Sequence, residues 1–120
     1  MREILREPTF LILTALAPKP LHGYGLIMEV ANLSGGRVTL RPGTLYGALD
    51  RLGDDGLVAR DREEIVDGRL RRYYRLTDEG AAALRAETER MRLNVQAATG
   101  RLRIRERATG HAVLPAGGAA

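Results

Sequence analysis

The residues of this chain best equipped for chemistry are arginines and the small polar residues near them. Arg69, Arg71 and Arg72 crowd one short segment, while Arg41 and Arg51 flank Gly43, Thr44 and Gly47. A guanidinium fork forms paired hydrogen bonds with a phosphate or with the edge of a guanine. Glycine amides at the start of a helix can receive a phosphate, and a threonine hydroxyl can bond one or reach a base edge. This is chemistry of binding rather than of bond breaking. The chain has two histidines, His22 and His111, and no cysteine. That excludes disulfides, thiolate metal sites and cysteine nucleophiles, and it leaves neither a catalytic triad nor a metal cluster. No glycine-rich phosphate loop of the P-loop or dinucleotide type is present. Asp54 and Asp55 adjoin a turn without an acid–base partner nearby in sequence. Neither an enzyme nor a cofactor is expected.

Composition narrows the class without deciding it. A length of 120 residues suits one domain, and 44% hydrophobic content suffices for one small core. Aromatics are scarce, namely Phe10, Tyr24, Tyr46, Tyr73 and Tyr74 with no tryptophan, so the core is expected to be mostly Leu, Ile, Val and Ala. The net charge is +4 and the isoelectric point about 10.1, and of 19 basic residues only Lys19 is a lysine. An arginine excess fits a nucleic-acid partner, and it equally fits a GC-rich genome. Residues 1–7 are charged and lack a signal-peptide core. The apolar run at residues 10–17 is too short to span a bilayer. The expectation is a soluble cytoplasmic protein with no membrane partner.

The candidate residues must be held by elements that local sequence signals define. Pro8 suits a first helical turn, residues 9–17 are apolar and helix-competent, and Pro18 and Pro20 stop that helix. His22-Gly23-Tyr24-Gly25 precedes a second amphipathic segment with Leu26, Val30 and Leu33 on one face, ended by Ser34-Gly35-Gly36. His22 reads as a capping or packing residue. A third helix starts at Pro42 and runs to about Asp55. With Leu49 at the centre of its buried face, Leu45 and Leu52 fall beside it at about 100° per residue. Gly43, Thr44, Gly47, Asp50 and Arg51 fall opposite, and Tyr46 lies on the boundary. Gly47 costs ~1 kcal/mol relative to alanine inside a helix. It either lets that face approach a partner closely or is a tolerated weakness.

Residues 57–66 and 69–76 read as two strands, and Asp67-Gly68 between them is a strong two-residue hairpin signal. On the second strand Leu70, Arg72, Tyr74 and Leu76 alternate with Arg69, Arg71, Tyr73 and Arg75, and Tyr74 and Leu76 are the expected core-side residues. A helix that ends in a glycine turn, Asp54-Asp55-Gly56, and leads into a basic hairpin spells a winged helix-turn-helix. Asp61, Glu63, Glu64 and Asp67 on the hairpin offer partners to its arginines, so the wing is either a DNA contact or a solvated hairpin protected by its charges. The arginines gather on the second strand and the acids on the first, which favours DNA.

Thr77 is an expected N-cap for the last helix, with Asp78 and Glu79 in its first turn. Leu84, Thr88, Met91, Val95, Ala98 and Leu102 then follow 4-3-4-3-4 spacing, a heptad-like seam. The seam predicts a homodimer interface, the alternative being packing on its own domain. Gly100 leaves the end of the helix open beyond Thr99. Residues 108–120 are small and glycine-rich and read as a disordered tail with His111 exposed in it. The fold class expected is mainly α with a small β-hairpin. Its parts are a winged helix-turn-helix over residues 1–76, a C-terminal dimerisation helix over 77–107 and a tail over 108–120.

In this order and at these spacings, four segments resemble the PadR family of transcriptional regulators: His22-Gly23-Tyr24-Gly25, Pro42-Gly43-Thr44-Leu45-Tyr46, Gly56-Leu57-Val58, and Tyr73-Tyr74-Arg75-Leu76-Thr77-Asp78-Glu79-Gly80. The likeness covers about residues 8–80 and matches the shorter members, which keep one helix after the wing. It implies a DNA-binding homodimer that represses transcription at an inverted repeat, with a small hydrophobic or aromatic effector as a further candidate partner. It also implies that Tyr24 touches backbone phosphate. Gly47 stands where the family commonly has proline, and no tryptophan is present on which a ligand could stack. On this reading the third helix enters a major groove, with Arg41, Gly43, Thr44, Tyr46, Gly47 and Arg51 at the DNA, and the wing adds Arg69, Arg71 and Arg72. The rival reading is a winged helix that binds another protein.

Overall fold

The structure, a computed structural model, describes residues 5–110. Its elements are α1 (Glu7–Leu16), β1 (Leu21–His22), α2 (Gly23–Leu33), α3 (Pro42–Asp54), β2 (Val58–Val66), β3 (Arg69–Leu76) and α4 (Asp78–Thr109). The strands form one antiparallel sheet in the order β1-β3-β2. This is a mainly helical winged helix-turn-helix with one further helix. The chain divides into two compact units, residues 1–87 and 88–120, the division falling inside α4. No described helix is long and apolar enough to cross a membrane.

Helix α1 is the centre of the first unit. Its sequence is apolar nearly all round, and Leu11, Ile12, Leu13, Ala15 and Leu16 are all buried, as a helix enclosed by its neighbours requires. Helix α2 contributes Leu26 and Val30, and α3 contributes Leu45, Ala48, Leu49 and Leu52, on the face that the leucine spacing predicts. Leu57, Val58, Tyr74 and Ala83 close the core from the sheet and from α4. Leu33, expected on the buried face of α2, is instead 45% exposed. The core stops one turn short of it. The buried position at that end belongs to Ser34, whose hydroxyl accepts the Val38 N–H at 3.0 Å and faces the Ala31 carbonyl.

Two junctions set the wing. Asp67 and Gly68 both take left-handed backbone, φ 53° and 76°, the type I′ pattern whose twist matches the flanking strands. At the other end, Gly56 leaves α3 at φ 77°. The Thr77 hydroxyl donates to the Gly56 carbonyl at 2.6 Å and accepts the Gly80 N–H at 2.9 Å. One side chain therefore caps α4 and ties it to the exit of α3. The helix passes so close to the chain at Leu57 that a β-carbon on Gly80 would collide with the Leu57 carbonyl oxygen and lie 2.7 Å from Leu76 Cδ1.

Helix α4 runs without interruption through Gly100 to Thr109, past the break that Gly100 suggested. Its first turns bury Gly80 and Ala83, and the Glu87 carboxylate, also buried, accepts the Leu5 N–H at 3.0 Å. Of the seam residues, Leu84 packs partly on the core of its own unit and Met91 is half-buried, while Thr88, Val95, Ala98 and Leu102 are exposed. Leu93 and Ile104, on the opposite face of the same helix, are exposed as well. The tail expected from residue 108 overlaps the helix as far as Thr109, and its residues 111–120, His111 included, lie outside the described residues.

The Gly80 contact yields a stability prediction. Gly80→Ala is expected to destabilise the protein by roughly 2 kcal/mol, because backbone rather than a flexible side chain must move. Urea unfolding should show a lowered midpoint with an unchanged slope.

Candidate nucleic-acid interface

Helix α3 offers an exposed, uncapped start. Arg41 is its N-cap and Pro42 its first residue, and no side chain caps it. The first backbone bond of the helix runs from the Leu45 N–H to the Arg41 carbonyl at 2.9 Å, so the amides of Gly43 and Thr44 are left for an outside acceptor. Arg41, Gly43, Thr44, Asp50 and Arg51 are exposed and share one surface. Gly47 is half-buried, yet a β-carbon there would come only within 3.7 Å of the Arg51 guanidinium, an ordinary contact. Nothing inside the fold demands glycine at this position.

Beside this surface an open cleft of about 450 Å³ separates the start of α2 from the wing. Gly23, Tyr24 and His22 line one wall, Tyr46 of α3 lines the floor, and residues 69–72 of β3 line the other wall. The Tyr46 ring lies over Gly23: a β-carbon there would overlap the Tyr46 hydroxyl and sit 2.9 Å from its Cζ, so a side chain at this position would have to displace the half-exposed Tyr46 ring. The His22 ring similarly lies 3.2 Å from where a Gly25 side chain would begin. The glycines of the His-Gly-Tyr-Gly segment thus make room for two rings at the mouth of a helix. No side chain caps α2 either, so its first amides, like those of α3, have no side-chain acceptor.

The wing sorts its arginines into paired and unpaired. A register shift between Arg60 and Glu63 sets Arg62 across the sheet, where its guanidinium lies 3.9 Å from the centre of the Tyr73 ring. Arg62 also binds Glu64 at 2.9 Å and Asp61 at 3.3 Å, and the Tyr73 hydroxyl donates to Glu64 at 3.1 Å. These bonds, that from Arg62 foremost, hold the Glu64 carboxyl below the usual carboxylate range. Arg72 faces Glu63 at 3.5 Å and Arg75 faces Asp61 at 3.9 Å, both largely in water, where such pairs contribute little. Arg69 and Arg71 have no ion pair among the described residues. The His22 ring packs on Tyr73 at 5.3 Å between centres. Burial first, and then the nearby Arg71, hold the imidazole below its ordinary range, with Glu64 opposing.

Of the residues singled out in the sequence, the cleft brings together Tyr24, Tyr46, Arg69, Arg71 and Arg72. Arg41, Gly43, Thr44, Gly47 and Arg51 lie instead on the neighbouring surface of α3. Sequence reasoning assigned no place in the interface to His22, Gly23 or Leu70. The alternation of β3 put Leu70 on the side of Tyr74, a signal for a core residue, but the cleft lies where the core has already ended.

Comparison with known proteins gives this architecture a context. The transcriptional regulator PadR-like family matches residues 12–86. Over 85 residues the chain is 46% identical to the transcriptional regulator Rv3488 of Mycobacterium tuberculosis, covering 70% of this chain and 76% of that one. It superposes on a PadR family transcription regulator from Clostridium difficile with a TM-score of 0.64 at 28% identity, covering 81% of this chain and 99% of that one. It also superposes on PadR of Bacillus subtilis, solved in complex with operator DNA, with a TM-score of 0.60 at 26% identity, covering 68% of this chain and 46% of that one.

The environment of His22 predicts a pH dependence of stability. A pKa lowered in the folded state means that the unfolded chain takes up the proton first. The His22 contribution is therefore present above pH 6.5, its ordinary value, and lost as the pH falls below it. Unfolding curves between pH 8 and pH 5 should show this loss in the wild type and a smaller one in His22→Gln, and NMR titration of the imidazole should give a midpoint below 6.5.

Proposed function

The chain belongs to the PadR-like family of transcriptional regulators, a family of regulators and not of enzymes, and from that premise we propose that it is a repressor that binds double-stranded DNA as a homodimer at an inverted-repeat operator. The observation that carries this reading is the convergence of Tyr24, Tyr46 and the unpaired Arg69 and Arg71 on one open cleft beside the polar face of α3. A phosphodiester strand fits that cleft chemically. Two tyrosine hydroxyls and the amides at the start of α2 donate to its oxygens, and two guanidinium groups neutralise it. With the strand there, α3 lies in the major groove, its N-terminus foremost. The amides of Gly43 and Thr44 meet phosphate, the Thr44 hydroxyl meets phosphate or a base edge, and Arg41 and Arg51 reach phosphate or guanine. Arg72 joins them by exchanging the weak pair with Glu63 for a phosphate. The relative solved with its operator supports the same mode here.

The homodimer reading rests on α4. Val95 and Leu102, in register with Met91 and Ala98, present an apolar stripe that is 64% and 53% exposed at those two residues in the single chain. Pairing with a second copy removes that surface from water, and doubling the domain matches a two-fold operator. A small hydrophobic effector is a further candidate partner at that seam, where Met91 is adaptable in shape, the alternative being that these side chains only fill the interface.

Fluorescence anisotropy with DNA from upstream of the protein's own gene, across a salt series and beside a scrambled duplex, tests the reading. Preference for the native duplex with affinity falling steeply as salt rises is the expected result. Equal, weak binding to both would favour a protein partner for the wing and α3. Arg71→Ala should weaken binding to every duplex and reduce the salt slope by about one. Gly47→Ala should raise stability by ~1 kcal/mol while weakening DNA binding. If the alanine variant bound as tightly as the wild type, Gly47 would leave the contact surface.

A further inference from the structure

The tip of the wing carries an apolar pair that neither the core nor the charge network uses. Ile65 and Leu70 are direct cross-strand partners, so their side chains share one face, and they are 77% and 53% exposed. The two pairs behind them on the same strands, Glu64 with Arg71 and Glu63 with Arg72, are charged. Water is the right neighbour for those and the wrong one for Ile65 and Leu70. Arg69 and Arg71, cations without ion pairs among the described residues, flank Leu70 in sequence and leave the strand on its opposite face, and all three line the cleft.

A DNA strand presents two surfaces in alternation, anionic phosphates and the apolar faces of deoxyribose rings. We infer that Ile65 and Leu70 form a seat for deoxyribose on the strand whose phosphates are held by Arg69 and Arg71, so that the wing grips the sugar edge of the minor groove as well as its charge. The inference rests on the DNA-binding reading above. Charge complementarity and continuity with the cleft select the occupant: a strand that runs between the cationic wall and the tyrosines passes Leu70, and the exposed Ile65 extends the same apolar face to the wing tip. Such a contact reads the shape and width of the groove rather than its base sequence.

The test uses the full-length protein and a duplex enriched by it from a random DNA library. Three measurements are made: affinity, salt slope, and hydroxyl-radical footprint, which reports cover over minor-groove sugars. The double variant Ile65→Ser, Leu70→Ser, altered only at exposed positions, is expected to lose about tenfold in affinity, about 1.4 kcal/mol. Its salt slope should be unchanged, and protection should be lost at the sugars beneath the wing alone. The apolar variant Ile65→Val, Leu70→Met should keep both affinity and protection. Serine variants that bind and protect like the wild type would overturn the inference and leave the DNA reading intact. A loss of affinity with a flattened salt slope would also overturn it, since the change would then act through the arginines. Failure to enrich any duplex would overturn the DNA reading and this inference together.

Discussion

The two-residue pairing of β1 with β3 is the constraint on which the rest of the interface depends. Leu21 lies opposite Tyr74 and His22 opposite Tyr73, which places β3 in the middle of the sheet rather than at an edge. Tyr74 is buried and belongs to the core, and the low-dielectric surroundings push its hydroxyl pKa upward. With that residue anchored, each residue back along the strand lies about 3.4 Å further out. Arg72, Arg71 and Arg69 are thereby carried out past the start of α2 in a fixed register. The His22 ring on Tyr73 and the Arg62 guanidinium on the same ring stiffen the root of that arm.

The same region forgoes stability that a chain of this size could use. A side-chain cap is worth about 1 kcal/mol per helix, and both α2 and α3 lack one. Glycines stand in the first turns of both helices, and Gly47 is a further weakness inside α3. Exposed apolar side chains at the wing tip and unpaired cations beside them add to the account. These departures gather on one surface, the pattern expected where a ligand rather than the protein supplies the missing partner, although α1 also lacks a side-chain cap and α4 carries Gly100 and the exposed Leu93 and Ile104. Other local rules are kept: Thr77 caps α4, Pro42 opens α3 and Asp67-Gly68 forms the hairpin turn.

What the sequence disclosed follows from where the determining interactions lie. The buried leucines of α3, the hairpin turn and the Thr77 cap depend on residues within a turn of one another, so spacing and residue type predict them. Strand β1 has two residues and no periodicity, and it exists only through pairing with a segment distant in the chain. The cleft was therefore unreadable although most of its side chains had been singled out. Leu33 has the spacing of a buried residue and is exposed, because periodicity defines a face and not how far the neighbouring helices extend along it. Gly100 illustrates the converse: a single glycine costs a long helix ~1 kcal/mol, and the helix formers on either side carry α4 through it.

The contact of Gly80 with the Leu57 carbonyl has a mechanical consequence. Helix α4 meets the first residues leading into β2 with no compliant side chain between them, and the Thr77 hydroxyl couples the same helix start to the last turn after α3. Close-packed contacts of this kind transmit displacement instead of absorbing it. A torque applied to the first turns of α4 is delivered to the root of the wing and to the exit of the neighbouring helix at once. The joint is a rigid coupling between the start of α4, the root of the wing and the exit of α3.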